Sequence, residues 1–176
     1  HCASIKKQVL VGSPVRKDAL TIEVVRSIRH PEFTKQTMQY DVGLLQLAEP
    51  VEGPLAPLPT VAEARRLLLP DRSATIFGWG RTEASRTPVE RVQKGEVKLE
   101  QLGLGGTQIV YRYYGGGPCG RDSGSPMLLQ AADGQPRVIG LASATDGELC
   151  NKGGGTAVYT NVAAVLEFIL RFIDPG

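Results

Sequence analysis

Residues 115–126 read Gly-Gly-Gly-Pro-Cys-Gly-Arg-Asp-Ser-Gly-Ser-Pro. Glycine takes a positive φ at little cost, so a serine set among glycines allows backbone N–H groups to converge on one point. Such a nest can stabilise an oxyanion beside a nucleophile, which makes Ser123 the candidate nucleophile. On residue types alone a surface turn is the competing interpretation. Two rival sites fail on spacing. A phosphate loop needs Gly-Lys-Ser/Thr followed by a helix, and neither is present. The nucleophile elbow of α/β-hydrolases needs glycine two residues either side of the serine, where this chain has Arg121 and Ser125. A zinc site drawn from His1, Cys2, Cys119 and Cys150 lacks ligand spacing, and no metal or organic cofactor is expected.

A serine hydroxyl needs an adjacent base, so other elements must bring one to Ser123. Short β-branched and apolar segments recur at 8–11, 20–28, 42–47, 74–79, 95–99, 108–113, 126–129, 138–143 and 156–160, punctuated by Gly, Pro, Asp and Ser. That pattern predicts an all-β sandwich or barrel. Val162, Val165, Leu166, Ile169, Leu170 and Ile173 form one apolar stripe at helical spacing, with Asn161 as N-cap and Pro175-Gly176 as stop. Between Pro50 and Pro59 there are four prolines, followed by a short helical pattern at 62–69. The expected organisation is a first β unit at 1–48, a connection at 49–73, a second β unit at 74–160 and a terminal helix at 161–176.

Composition excludes several classes. Of 176 residues 41% are hydrophobic and 22% charged, ordinary for a globular domain, and a net charge of +2 gives no footprint for nucleic acid or a membrane surface. The most apolar stretch, 162–173, is broken by Glu167 and Arg171 and is too short to span a bilayer. The chain opens on His1 without a charged-then-apolar leader, as expected of a processed chain or a fragment. Three cysteines leave one odd thiol if two pair, and the residues alone do not decide between an oxidising and a reducing compartment.

Six segments, taken in order, resemble the chymotrypsin/trypsin-like serine peptidases. They are His1-Cys2, His30-Pro31-Glu32-Phe33, Asp41-Val42-Gly43-Leu44-Leu45-Gln46-Leu47, Gly78-Trp79-Gly80, Asp122-Ser123-Gly124-Ser125-Pro126 after Cys119, and Val158-Tyr159-Thr160-Asn161-Val162. Standing alone, His1 reads as a chain terminus and Asp41 as a turn or edge residue. The resemblance implies two packed Greek-key β-barrels, the first incomplete, with a C-terminal helix. It implies a triad of Ser123 as nucleophile, His1 as general base and Asp41 as the group orienting the imidazole.

The resemblance also implies an oxyanion hole from the Arg121 and Ser123 N–H groups, although the family has glycine where this chain has Arg121. A Cβ there disfavours the conformations glycine reaches freely, and losing one donor costs about 10²–10³ in rate. Asp122 would accept an N-terminal ammonium freed by zymogen cleavage, on a segment upstream of His1. Cys119 and Cys150 would form a bridge worth roughly 3–4 kcal/mol on the chain-entropy model. Cys2 would pair upstream, in keeping with a secreted or otherwise extracytoplasmic protein.

The resemblance further implies a substrate pocket with its floor at Gly117 and its walls at Thr145 and Ala157, and Ser143-Ala144-Thr145 as the strand edge that pairs with substrate backbone. Without an acid at the floor, the expected cleavage follows small or medium apolar residues. Polypeptide substrates, protein inhibitors and the upstream segment are the expected partners. The rival expectation is a homologue that binds peptides without cleaving them, favoured by Arg121. A lipase or esterase of the α/β-hydrolase class is contradicted by the residue order and by the lack of alternating helices.

Overall fold

The computed structural model describes residues 1–3, 7–82, 87–146 and 154–173. Strands β1 (Gln8–Val11), β2 (Leu20–Arg29) and β3 (Gly43–Leu47) form one antiparallel sheet in the order β1-β2-β3. The proline-rich stretch then leads into helix α1 (Val61–Leu67). Its start is a capping box: the Glu63 N–H donates to Thr60 Oγ1, and the Thr60 N–H donates to the Glu63 carboxylate.

The larger sheet contains β4 (Ser73–Gly78), β5 (Gln93–Lys98), β6 (Gln101–Gly103), β7 (Gln108–Tyr113), β8 (Pro126–Gln130), β9 (Pro136–Thr145) and β10 (Gly155–Asn161). All its pairings are antiparallel, in the order β5-β4-β8-β9-β10-β7-β6. The nine expected strands are all present, within about two residues at their ends. The short edge strand β6 was not expected, because Gln101-Leu102-Gly103 is too brief to show an alternation.

Two cores result. Inward residues of the larger sheet, among them Ile109, Tyr111, Met127, Ile139 and Tyr159, form the first. The second joins the two sheets: Val42 from the smaller unit packs with Val138, Val162, Val165, Phe168 and Ile169.

Asn161 caps the terminal helix as expected, accepting from the Ala163 N–H at 3.1 Å. Residues Val162–Val165, however, form a 3₁₀ turn before α2 (Leu166–Ile173). At 3.0 residues per turn the stripe shifts phase, so Phe168 joins the buried set while Leu170 and Ile173 are 43% and 57% exposed.

His30 ties this helix to the smaller unit. Its ring stacks on Tyr40 at 4.9 Å and lies 4.6 Å from Phe168. Its Nδ1 accepts the Glu32 N–H at 3.2 Å, which requires the neutral ring. Burial holds its pKa below the ordinary 6.5; nearby Glu32 opposes the shift and Arg171 adds to it. The unfolded chain therefore binds this proton first on acidification. The ring's contribution is complete above 6.5 and is lost as pH falls through the lower folded value. His30→Phe should flatten the loss of stability in that acid window, measured by urea unfolding at stepped pH. Parallel pH profiles for the two proteins would refute this role.

Candidate active site

The site is assembled around Asp41. The tight turn before β3 carries Tyr40 at φ +55° and returns the Val42 N–H to the Tyr40 carbonyl at 2.7 Å. This sends the Asp41 side chain into the junction of the two sheets, where it is 2% exposed. A carboxylate buried so deeply must be hydrogen-bonded. His1 Nδ1 donates to Oδ2 at 2.5 Å, and the His1 backbone nitrogen donates to Oδ1. Ser143 Oγ, from β9, donates to Oδ2 at 2.7 Å. From β10, Thr160 Oγ1 donates to the Asp41 carbonyl at 2.9 Å. Both sheets therefore hold one carboxylate, and that carboxylate fixes one imidazole with Nδ1 protonated and Nε2 left to accept.

Ser123 lies in an exposed turn between Cys119 and β8. The Gly124 N–H donates to the Ala142 carbonyl at 2.7 Å, and the Ala142 N–H donates back to Ser125 at 2.9 Å. The turn is thereby stapled to β9 one residue before Ser143, on the strand that reaches Asp41. Among the described residues no hydrogen bond joins Ser123 to His1, and neither the Arg121 nor the Ser123 N–H has a protein acceptor. Arg121 adopts φ +80°, the left-handed region expected to suit glycine, with its side chain exposed.

Asp122 turns the other way. Its carboxylate accepts the Gly80 N–H at 2.8 Å and the Cys119 N–H at 2.9 Å. Gly78 and Gly80 are bare because a Cβ on either would strike that carboxylate. Burial raises the Asp122 pKa, the two N–H donors opposing it, and no cation pairs with it among the described residues. It borders a cavity of about 370 Å³ that also includes Gly117, Arg81 and Lys94. Of the expected pocket residues only Gly117 lines this cavity; Ser143, Ala144, Thr145 and Ala157 do not. Cys119 is buried, and its expected partner Cys150 lies outside the described residues.

Sequence reasoning placed Ser143 at a strand edge and missed its bond to Asp41. The signal was a hydroxyl closing the apolar run of residues 138–142.

A two-sheet antiparallel β fold that holds an imidazole on a buried carboxylate is the arrangement of the chymotrypsin-like serine peptidases. The trypsin family model matches residues 1–169, and the chain belongs to that family. It is similar to serine protease 56 of Mus musculus, 28% identical over 182 residues, covering 96% of this chain and 30% of that protein. A suppressor of tumorigenicity 14 protein homolog of Bos taurus is 31% identical over 156 residues, covering 82% and 18%. The trypsin of Saccharopolyspora erythraea is 28% identical over 160 residues, covering 84% and 66%. The chain thus spans under a third of the first two relatives and about two thirds of the third. Among the described residues no helix is long and apolar enough to cross a membrane.

Ser143→Ala should cost about 1–3 kcal/mol in urea unfolding, because it strips a donor from a buried carboxylate; a loss within error would show that Asp41 does not depend on it. Arg121→Gly should stabilise the fold by a net ~0.5–1 kcal/mol, relief of left-handed strain outweighing the added freedom of the unfolded chain. Destabilisation on the same curve would refute the strain.

Proposed function

We propose that the protein is a serine endopeptidase acting through an acyl-enzyme. The observation that carries this is the His1 imidazole fixed by a buried Asp41, itself held by Ser143, with the exposed Ser123 turn bonded to the adjacent Ala142 of β9. Ser123 Oγ attacks the peptide carbonyl carbon as its proton passes to His1 Nε2. The tetrahedral oxyanion is met by the Arg121 and Ser123 N–H groups. Collapse breaks the C–N bond, and His1 returns the proton to the leaving amine. Water then attacks the ester by the same route, releasing the acid and restoring Ser123.

The substrate side chain enters beside Gly117, Ser143, Ala144, Thr145 and Ala157. With no acid at Gly117, small or medium apolar residues fit better than Arg or Lys. Asp122, half-buried, without a cation among the described residues and next to a cavity, suits an ammonium donated by a segment upstream of His1, as in zymogen activation. A Cys119–Cys150 bridge, an extracytoplasmic location, and protein inhibitors as partners belong to the same proposal. Arg121 favours a second reading, a homologue that binds peptides in this cleft without cleaving them.

The test is intact mass of the native protein, with its flanking sequence, before and after a fluorophosphonate probe. One adduct, lost in Ser123→Ala, is expected. A folded wild type that takes no adduct, even as Arg121→Gly, would favour the binding reading.

A further inference from the structure

We infer that Tyr113 sets the size limit of the substrate side chain held beside Ser123, restricting cleavage to bonds after glycine- and alanine-sized residues. This rests on the peptidase reading and narrows its substrate class. Tyr113 ends β7 on the same inward face as Ile109 and Tyr111, and it is 6% exposed. Its backbone pairs with Gly155 of β10, and its side chain crosses that strand to reach β9. There Tyr113 Oη lies 3.0 Å from Thr145 Oγ1, which itself donates to the Thr156 carbonyl at 3.2 Å.

Two glycines enclose the phenol. A Cβ on Gly155 would stand 2.7 Å from Tyr113 Oη, and a Cβ on Gly117 would overlap the ring itself. The space that missing side chains at Gly117 and Gly155 would leave for a ligand is therefore occupied by this chain's own aromatic ring. Ala157, two residues on along β10 from Gly155, is completely buried. Close-packed pockets discriminate by about 10–200-fold per added methylene, so a whole ring matters more than the wall residues.

The test is cleavage of peptides that vary only in the residue before the scissile bond, using the native protein and its Tyr113→Ala and Tyr113→Phe variants. The wild type should favour Ala over Leu or Phe by at least about tenfold. Tyr113→Ala should reverse that preference, while Tyr113→Phe, which keeps the ring, should retain it. Fluorophosphonate labelling is measured on the same samples. Equal labelling with an unchanged preference in Tyr113→Ala overturns the role of Tyr113 and leaves the peptidase reading intact. Wild-type cleavage after Leu or Phe faster than after Ala overturns it without any variant, should Tyr113→Ala fail to fold. A wild type that takes no label removes the peptidase reading and this inference together.

Discussion

A carboxylate cannot be buried at a sheet junction unless donors reach it, and the arrangement of this protein follows from meeting that requirement at Asp41. The carboxylate's donors come from the first residue and from Ser143 near the end of β9, while Thr160 of β10 donates to the Asp41 backbone carbonyl. The smaller unit supplies the acid and the larger unit supplies Ser143 and Thr160, so the junction is specified by hydrogen bonds as well as by apolar contact. Val42, the next residue, packs with Val138, Val162 and Phe168, which places the polar cluster against the second core. Low dielectric around the cluster strengthens each bond and makes the loss of any one expensive. The same burial that demands donors gives the imidazole a single tautomer.

The larger sheet solves a related problem twice by omitting side chains. Gly78 and Gly80 make room for the Asp122 carboxylate and offer it a backbone N–H. Gly117 and Gly155 make room for the Tyr113 ring, whose hydroxyl is answered by Thr145. The first holds a carboxylate without a cation among the described residues, the second holds a ring whose hydroxyl is answered, and both border one cavity. Gly117 stands at the boundary between them, contacting the ring and lining the cavity. A change at this one position would disturb both compartments, because any Cβ there meets Tyr113 first.

Most of the fold was legible in the sequence, for a physical reason. Strands leave short β-branched and apolar runs bounded by Gly, Pro, Asp and Ser, and β1 through β10 were visible except β6, which is three residues long. The Ser123 turn, His1 and Asp41 were legible as residue types in a family order, and the structure brings His1 and Asp41 into contact. What escaped depends on three-dimensional neighbours. Ser143 reads as an edge residue until the turn at Tyr40 aims Asp41 at it. Tyr113 reads as one more inward aromatic until Gly117 and Gly155 are seen on either side. The terminal helix lost its expected phase because a capped 3₁₀ turn, which a 3.6-residue period does not anticipate, precedes it.

Arg121 is the residue where local preference and structure disagree most. An L-residue at φ +80° persists only where its surroundings leave the backbone no alternative. The turn meets that condition. The Asp122 side chain grips the Cys119 N–H, while the Asp122 N–H donates to the Cys119 carbonyl and its own carbonyl accepts from Ser125. Gly124 and Ser125 are stapled to β9 through Ala142, and Gly120 accepts from Arg81. The peptides flanking Arg121 are fixed by their neighbours, so the strain falls on an exposed residue whose N–H has no protein acceptor among the described residues. The hydrogen bonds that force the strain also keep that N–H and the N–H of Ser123 unpaired on the exposed turn. In glycine the same geometry would cost little. In arginine it is maintained by the Asp122 carboxylate, which makes that buried anion the support of the turn as well as its neighbour.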